Sequence, residues 1–106
     1  MPLPFRFTPR AVDDLDEIWS YIARDSVCAA DRVEEAIFDA CLRLSRFPEI
    51  GTRRREITAL PVRFWTLTRY PNYVVVYRPG SRPLEIVTVL YGRRDLRRAM
   101  EETEEP

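Results

Sequence analysis

Residues Leu84 to Arg98 read LEIVTVLYGRRDLRR. The first eight, Leu84-Glu85-Ile86-Val87-Thr88-Val89-Leu90-Tyr91, are rich in β-branched and aromatic side chains, which fit a pleated, half-buried surface. Gly92 ends the run, and Arg93, Arg94, Arg97 and Arg98 follow around Asp95. Two earlier runs share the composition of the first: Val62-Arg63-Phe64-Trp65-Thr66-Leu67 and Tyr73-Val74-Val75-Val76-Tyr77. Tyr70-Pro71-Asn72 and Pro79-Gly80-Ser81-Arg82-Pro83 supply the turns between them. Three consecutive strands with short connections predict an antiparallel meander.

Upstream of Gly51 the periodicity changes from strand-like to helical. Ala11, Leu15, Ile18, Trp19 and Ile22 fall on one face of a 3.6-residue helix. Thr8 can cap its free N–H groups, and Pro9 suits the first helical position, where its missing N–H is not needed. Asp13, Asp14, Asp16 and Glu17 lie in the early turns, near the positive end of the dipole, and read as a solvated face. This helix ends near Asp25-Ser26. A second begins within Cys28 to Asp31, with Ala30, Val33, Ile37, Ala40, Leu44 and Phe47 as its packing seam. Pro48 stops it, and Glu49-Ile50-Gly51 turns the chain. Two amphipathic helices so joined make an antiparallel hairpin.

Leu3 to Phe7 reads as an edge strand, limited at its start by Pro2 and Pro4. Asp95 to Met100 reads as a final helical turn, and residues 101–106 as an acidic, frayed tail. The order β-α-α-β-β-β predicts an α+β fold, with the helical hairpin packed on one face of a small antiparallel sheet. A length of 106 residues suits a single domain, here residues 1–100.

Composition narrows the chemistry. All 17 basic residues are Arg, balanced by 17 acids, with no Lys and no His. Histidine triads, histidine zinc sites, Schiff-base chemistry and the P-loop lysine are therefore excluded. No metal and no cofactor is expected. Cys28 and Cys41 read as free thiols in a reducing cytoplasm, Cys41 beside the second helix's apolar seam as a packing residue. The N-terminus lacks the apolar run of a signal peptide. No stretch approaches the roughly 18 apolar residues of a membrane span.

The zero net charge hides an asymmetry. Residues 1–52 carry 6 Arg and 10 acids, a balance of −4; residues 53–98 carry 11 Arg and 3 acids, a balance of +8; the remainder carries 4 Glu. A basic block of this size suits an anionic partner. Its bland counterpart is Arg solvating an exposed sheet face and pairing with the acidic helices. Arg interleaved with Phe64, Trp65, Tyr70, Tyr73, Tyr77 and Tyr91 is a pattern that RNA stacking uses, although strand aromatics are more often core. Strand alternation puts Phe64 on one face and Arg63 and Trp65 on the other.

These elements and their order resemble the ParE/RelE superfamily, the toxins of bacterial toxin–antitoxin pairs. The likeness runs from about Phe5 to Met100. It is carried by Phe7-Thr8-Pro9-Arg10-Ala11 with Asp14-Leu15, by Ile18 through Ile22, by Phe47-Pro48 with Gly51, by Tyr73 to Arg78, and by Val89-Leu90-Tyr91-Gly92-Arg93-Arg94-Asp95. The last stretch is the most specific and resembles the ParE-type ending, with Tyr91 where that family commonly has His.

The resemblance implies a toxin made beside a ParD-like antitoxin that wraps across the hairpin and sheet. ParE-like members poison DNA gyrase and block replication. RelE-like members cut messenger RNA on the ribosome, using Lys, Arg, Glu, His and Tyr. This chain has neither Lys nor His, and Val74 stands where RelE-like strands carry an Arg after the Tyr. General acid–base catalysis favours a group with a pKa near 7, and Arg lies above 12. The expectation is therefore a gyrase inhibitor that acts by binding, with Arg63, Arg78, Tyr91, Arg93, Arg94 and Arg97 meeting target or antitoxin. Were it instead a nuclease, Arg63, Arg78 and Arg93 would hold phosphate and Tyr91 would be the acid. A third reading is a non-toxic protein of this fold that keeps only antitoxin binding.

Overall fold

Thr8 and Ser26 each cap a helix with a hydroxyl, accepting the N–H of Ala11 and of Ala29 at 3.1 Å. The computed structural model describes residues 2–92 and 96–104. Helix α1 spans Pro9–Ala23 and α2 spans Val27–Arg46. Pro9 opens α1 as expected, and α2 starts one residue ahead of the expected window. Strand β1 is Phe5–Phe7, β2 Arg63–Thr66, β3 Tyr73–Arg78, β4 Leu84–Tyr91, and helix α3 is Leu96–Glu104.

The sheet order is β1-β4-β3-β2. The last three strands form the expected antiparallel meander. β1 is an edge strand as expected, but it pairs parallel to β4, Phe5 opposite Leu84 and Phe7 opposite Ile86, so the α+β fold carries a mixed sheet. The helical hairpin carries the chain from β1 across to β2 at the opposite edge, and the meander then returns it to β4, which lies parallel beside β1.

β4 contains an irregularity that the meander does not require. Val76 pairs with Thr88 and Tyr77 with Ile86, which leaves Val87 as an extra residue on β4. Such a bulge shifts the side-chain alternation. Leu84 and Ile86 point into the helix-side core before it, Val89 after it, while Val87 and Leu90 point to the reverse face.

Each face of the sheet has its own core. Ile37, Cys41, Leu44, Val75, Tyr77, Ile86 and their neighbours fill the space under the helices. Val62, Phe64, Val76, Val87, Leu90 and Met100 form the second core on the reverse face. Phe64 and Trp65 accordingly part to opposite faces, as the alternation predicts.

Two expectations change. Phe47 does not complete the α2 seam: it is the C-cap, with non-helical φ −130° and ψ 69°, and is 55% exposed. Pro48 after it disfavours helical backbone at Phe47 and swings the ring outward. The last helix is longer than the turn expected to end at Met100, and residues 105–106 of the expected tail lie outside the described residues. α3 continues through Glu104, because Leu96, Ala99 and Met100 sit at i, i+3 and i+4 and pack on the reverse core, Met100 completely buried. Glu102 ties the acidic part back to Arg10 of α1 at 3.8 Å.

Tyr77 fixes the turn after α2. Its buried hydroxyl donates to the Pro48 carbonyl at 2.7 Å and accepts the Gly51 N–H at 2.9 Å. A Cβ on Gly51 would run into the Tyr77 hydroxyl and ring, so the turn needs glycine for close approach. Among the described residues, no helix is long and apolar enough to cross a membrane.

Candidate functional site

Three tyrosines from three elements meet where β4 ends. Tyr91 pairs with Tyr73 across β3 and β4, their rings 5.0 Å apart, and Tyr21 of α1 lies 6.4 Å from Tyr91. Tyr73 is buried, whereas Tyr91 is 45% and Tyr21 62% exposed. Burial pushes the Tyr73 phenol up, and the neighbouring Tyr91 and Tyr21 hydroxyls push it further. Gly92 ends the strand at φ +82°, a left-handed backbone that suits glycine, and its N–H reaches the Asn72 carbonyl at 2.7 Å. Arg93 and Arg94, expected at the site, lie outside the described residues. Arg97 and Arg98 project from the first turn of α3 and are exposed.

Beside the tyrosines, α1, the end of β4 and α3 enclose a cleft of about 670 Å³. Asp13, Glu17 and Ile18 line it from α1, and Leu96 and Ala99 from α3. Arg10 lies 3.7 Å from Asp14 and 3.8 Å from Glu102 and so links the two helices.

Asp14 departs from the solvated face on which it was expected. Its carboxylate accepts the Thr88 hydroxyl and, at 3.0 Å, the Val89 N–H. It thereby satisfies polar groups at the β4 bulge that would otherwise face the inside of the helix layer unpaired. The signal was present in the sequence: Asp14 lies three residues after Ala11 and four before Ile18, on the apolar stripe itself. Asp13, Asp16 and Glu17 are exposed, as expected.

The sequence-derived arginines divide between the two ends of the sheet. Arg63 Nη1 donates to the carbonyls of Gly51 at 2.8 Å and Glu49 at 3.2 Å, beside the Tyr77 hydroxyl. Arg78 Nε donates to Glu85 at 2.9 Å, and Glu85 also accepts Arg6 at 2.6 Å. Arg78 pairs with Glu85 at one end of β3, while Tyr73 pairs with Tyr91 at the other. Five residue steps of strand separate them, about 17 Å. Arg63 and Arg78 therefore do not converge with Tyr91. They brace the turn after α2 and the start of β4.

No row of stacking aromatics forms along the strands. Phe64, Tyr73 and Tyr77 are buried, and Trp65 is half-buried against the helix-side core, with the Arg43 guanidinium 5.9 Å from its ring centre. Trp19, read on the apolar face of α1, is half-buried and donates from Nε1 to Asp31 at 2.9 Å, tying α1 to α2. Cys28 is exposed and Cys41 buried, both free, and burial pushes the Cys41 thiol up to about 12.

Comparison with known proteins agrees with this architecture. Residues 5–96 match the family model for the ParE toxin of the type II toxin–antitoxin system, parDE. The candidate toxin Y4kP of Sinorhizobium fredii is 37% identical over 89 residues, 84% of this chain and 88% of that protein. A chain of the chromosomal ParDE toxin–antitoxin system from P. aeruginosa superposes with a TM-score of 0.67 over 84% of this chain and 95% of its own, at 22% identity, and shares the fold. A family match across residues 5–96, joined to this sheet order and helical hairpin, makes the chain a member of the ParE toxin family of type II toxin–antitoxin systems.

Proposed function

We propose that this protein is a toxin that arrests growth in the cytoplasm by binding DNA gyrase, and that a ParD-like antitoxin neutralises it. The observation that carries this reading is the separation of the arginines. Arg63 and Arg78 are held in structural contacts, while Tyr91 and Arg97 stand exposed at the exit of β4, continuous in sequence with Arg93 and Arg94. A basic ending that carries exposed Tyr91 and Arg97 is suited to contact with a larger partner.

The alternative of messenger RNA cleavage has less support. Phosphoryl chemistry needs its groups around one phosphate, and the distance between the Arg78 and Tyr91 ends of the sheet prevents that. Among the described residues, the groups whose acidity is displaced, Cys41, Tyr73 and Tyr77, all move up and away from neutrality. A general acid or base would be displaced toward neutrality instead.

The test is a paired assay with purified protein: supercoiling by gyrase, and messenger RNA integrity on ribosomes. The expected result is lost supercoiling with cleaved DNA accumulating, and intact message. Unimpaired gyrase with message cut on ribosomes would transfer the protein to the nuclease reading. Normal growth on induction without antitoxin would leave antitoxin binding alone.

A further inference from the structure

We propose that the cleft between α1 and α3 receives an arginine side chain from a partner protein. This goes beyond the proposed function, since it concerns the acidic side of the cleft rather than the basic ending, and it does not require gyrase to be the target.

Three observations specify the occupant. The first is charge. Arg10 is already engaged with Asp14 and Glu102, whereas Asp13 and Glu17 have no ion-pair partner among the described residues. They lie one helical turn apart, an arrangement in which like charges repel and weaken the helix unless a cation comes between them.

The second is the aromatic wall. Asp13, Glu17 and Tyr21 follow at intervals of four, so the two carboxylates run along α1 directly to the Tyr21 ring. Tyr21, Tyr91 and Tyr73 then continue as one cluster, with centre-to-centre steps of 6.4 Å and 5.0 Å. Ring faces attract cations, and a planar guanidinium both stacks on a ring and bridges carboxylates, which a compact ammonium does less well. Tyr21 and Tyr91 are exposed, so the wall is accessible from solvent.

The third is the floor. Ile18, Leu96 and Ala99 supply apolar surface in the same cleft as the carboxylates and the rings. The methylene stem of arginine would lie along it while the charged head reaches the acids. An acidic partner residue would meet Asp13 and Glu17 with like charge, and a purely apolar occupant would leave both without a cation.

The test uses the purified protein and two capped tripeptides, acetyl-Gly-Arg-Gly-amide and the same peptide with neutral citrulline. Citrulline keeps the shape and removes the charge. Nuclear magnetic resonance should show saturable shifts of the Tyr21 and Tyr91 ring signals and of the Val89 to Tyr91 amides with the arginine peptide. Citrulline should bind at least about fivefold more weakly, the loss expected for an exposed cation beside rings and carboxylates. The double substitution D13N/E17Q, on an exposed helix face, should weaken the arginine peptide by a similar factor without lowering the melting temperature, since it removes a like-charge pair. Equal binding of the two peptides, shifts confined to another surface, no saturable binding, or full binding to D13N/E17Q would each overturn the proposal.

Discussion

Asp14 of α1 accepts the backbone N–H of Val89, 75 residues away, at 3.0 Å, directly after the place where β4 takes in its extra residue. The same carboxylate accepts the Thr88 hydroxyl. One side chain thus sets both the position of α1 on the sheet and the irregular path of β4. Everything after the bulge, including the face to which Tyr91 points, depends on it.

Removing that carboxylate should be expensive. Asp14→Ala leaves a backbone donor and a hydroxyl without acceptors in a half-buried site, at a cost of about 2 kcal/mol. Its neighbour Asp13 is exposed, and Asp13→Ala should change stability by less than about 0.5 kcal/mol. Urea unfolding of the two variants decides the point. Equal midpoints would mean that Asp14 does no more than an exposed carboxylate.

The turn after α2 offers an independent check. Gly51→Ala places a methyl group against the Tyr77 hydroxyl and ring, and overpacking of this kind should cost about 1–3 kcal/mol. Tyr77→Phe removes the donor to Pro48 and the acceptor for Gly51, with a penalty of similar size. Both changes act on one contact, so the double variant should lose less than the sum of the single losses in thermal melts.

Local signals explain why these elements could be read from the chain and others could not. The caps Thr8 and Ser26, Pro9, and the apolar spacing of α1 and α2 act within a turn or two, so the hairpin is written in short stretches. The β-branched runs do the same for β2 to β4. The parallel pairing of Phe5 to Phe7 with β4 depends on a contact across about 80 residues and a strand of three, with no local mark. The extra Val87 has none either, since LEIVTVLY alternates no differently on its two sides. α3 is hidden because only Leu96, Ala99 and Met100 interrupt a charged segment, and their value depends on the second core beneath them. Arg63 and Arg78 resemble site residues in sequence because an arginine that holds carbonyls or Glu85 has the same letter as one that awaits a partner.

Burial of Cys41 links stability to pH. In the unfolded chain this thiol ionises at its usual value near 9.0, and in the folded protein only at about 12. The folded state keeps a proton that the unfolded state releases, so the contribution is complete below pH 9 and is lost as pH rises toward 12. Tyr77, raised mainly by burial, acts in the same direction. Unfolding midpoints should therefore fall steadily from about pH 9 upward, and Cys41→Ala should flatten that fall while lowering stability at neutral pH by about 1 kcal/mol. At pH 7, a thiol reagent should titrate Cys28 alone in the native protein and both cysteines in urea.

The two sets of arginines should respond differently to alanine. Arg63→Ala abandons the carbonyls of Gly51 and Glu49, and Arg78→Ala leaves Glu85 with Arg6 alone, so these variants should lower the melting temperature, Arg63→Ala the more. Arg63 serves two backbone carbonyls of one turn, and its loss should cost about 1–3 kcal/mol. Replacing Arg93, Arg94 and Arg97 together tests the basic ending, with the melting temperature of the variant measured alongside. If the basic ending meets the target, that folded triple variant should no longer arrest growth on induction, and it should no longer inhibit supercoiling. A stable triple variant that still arrests growth would remove the ending from the mechanism. Loss of arrest in Arg63→Ala without loss of folded protein would point instead to the opposite end of the sheet, where Arg63 and Arg78 lie.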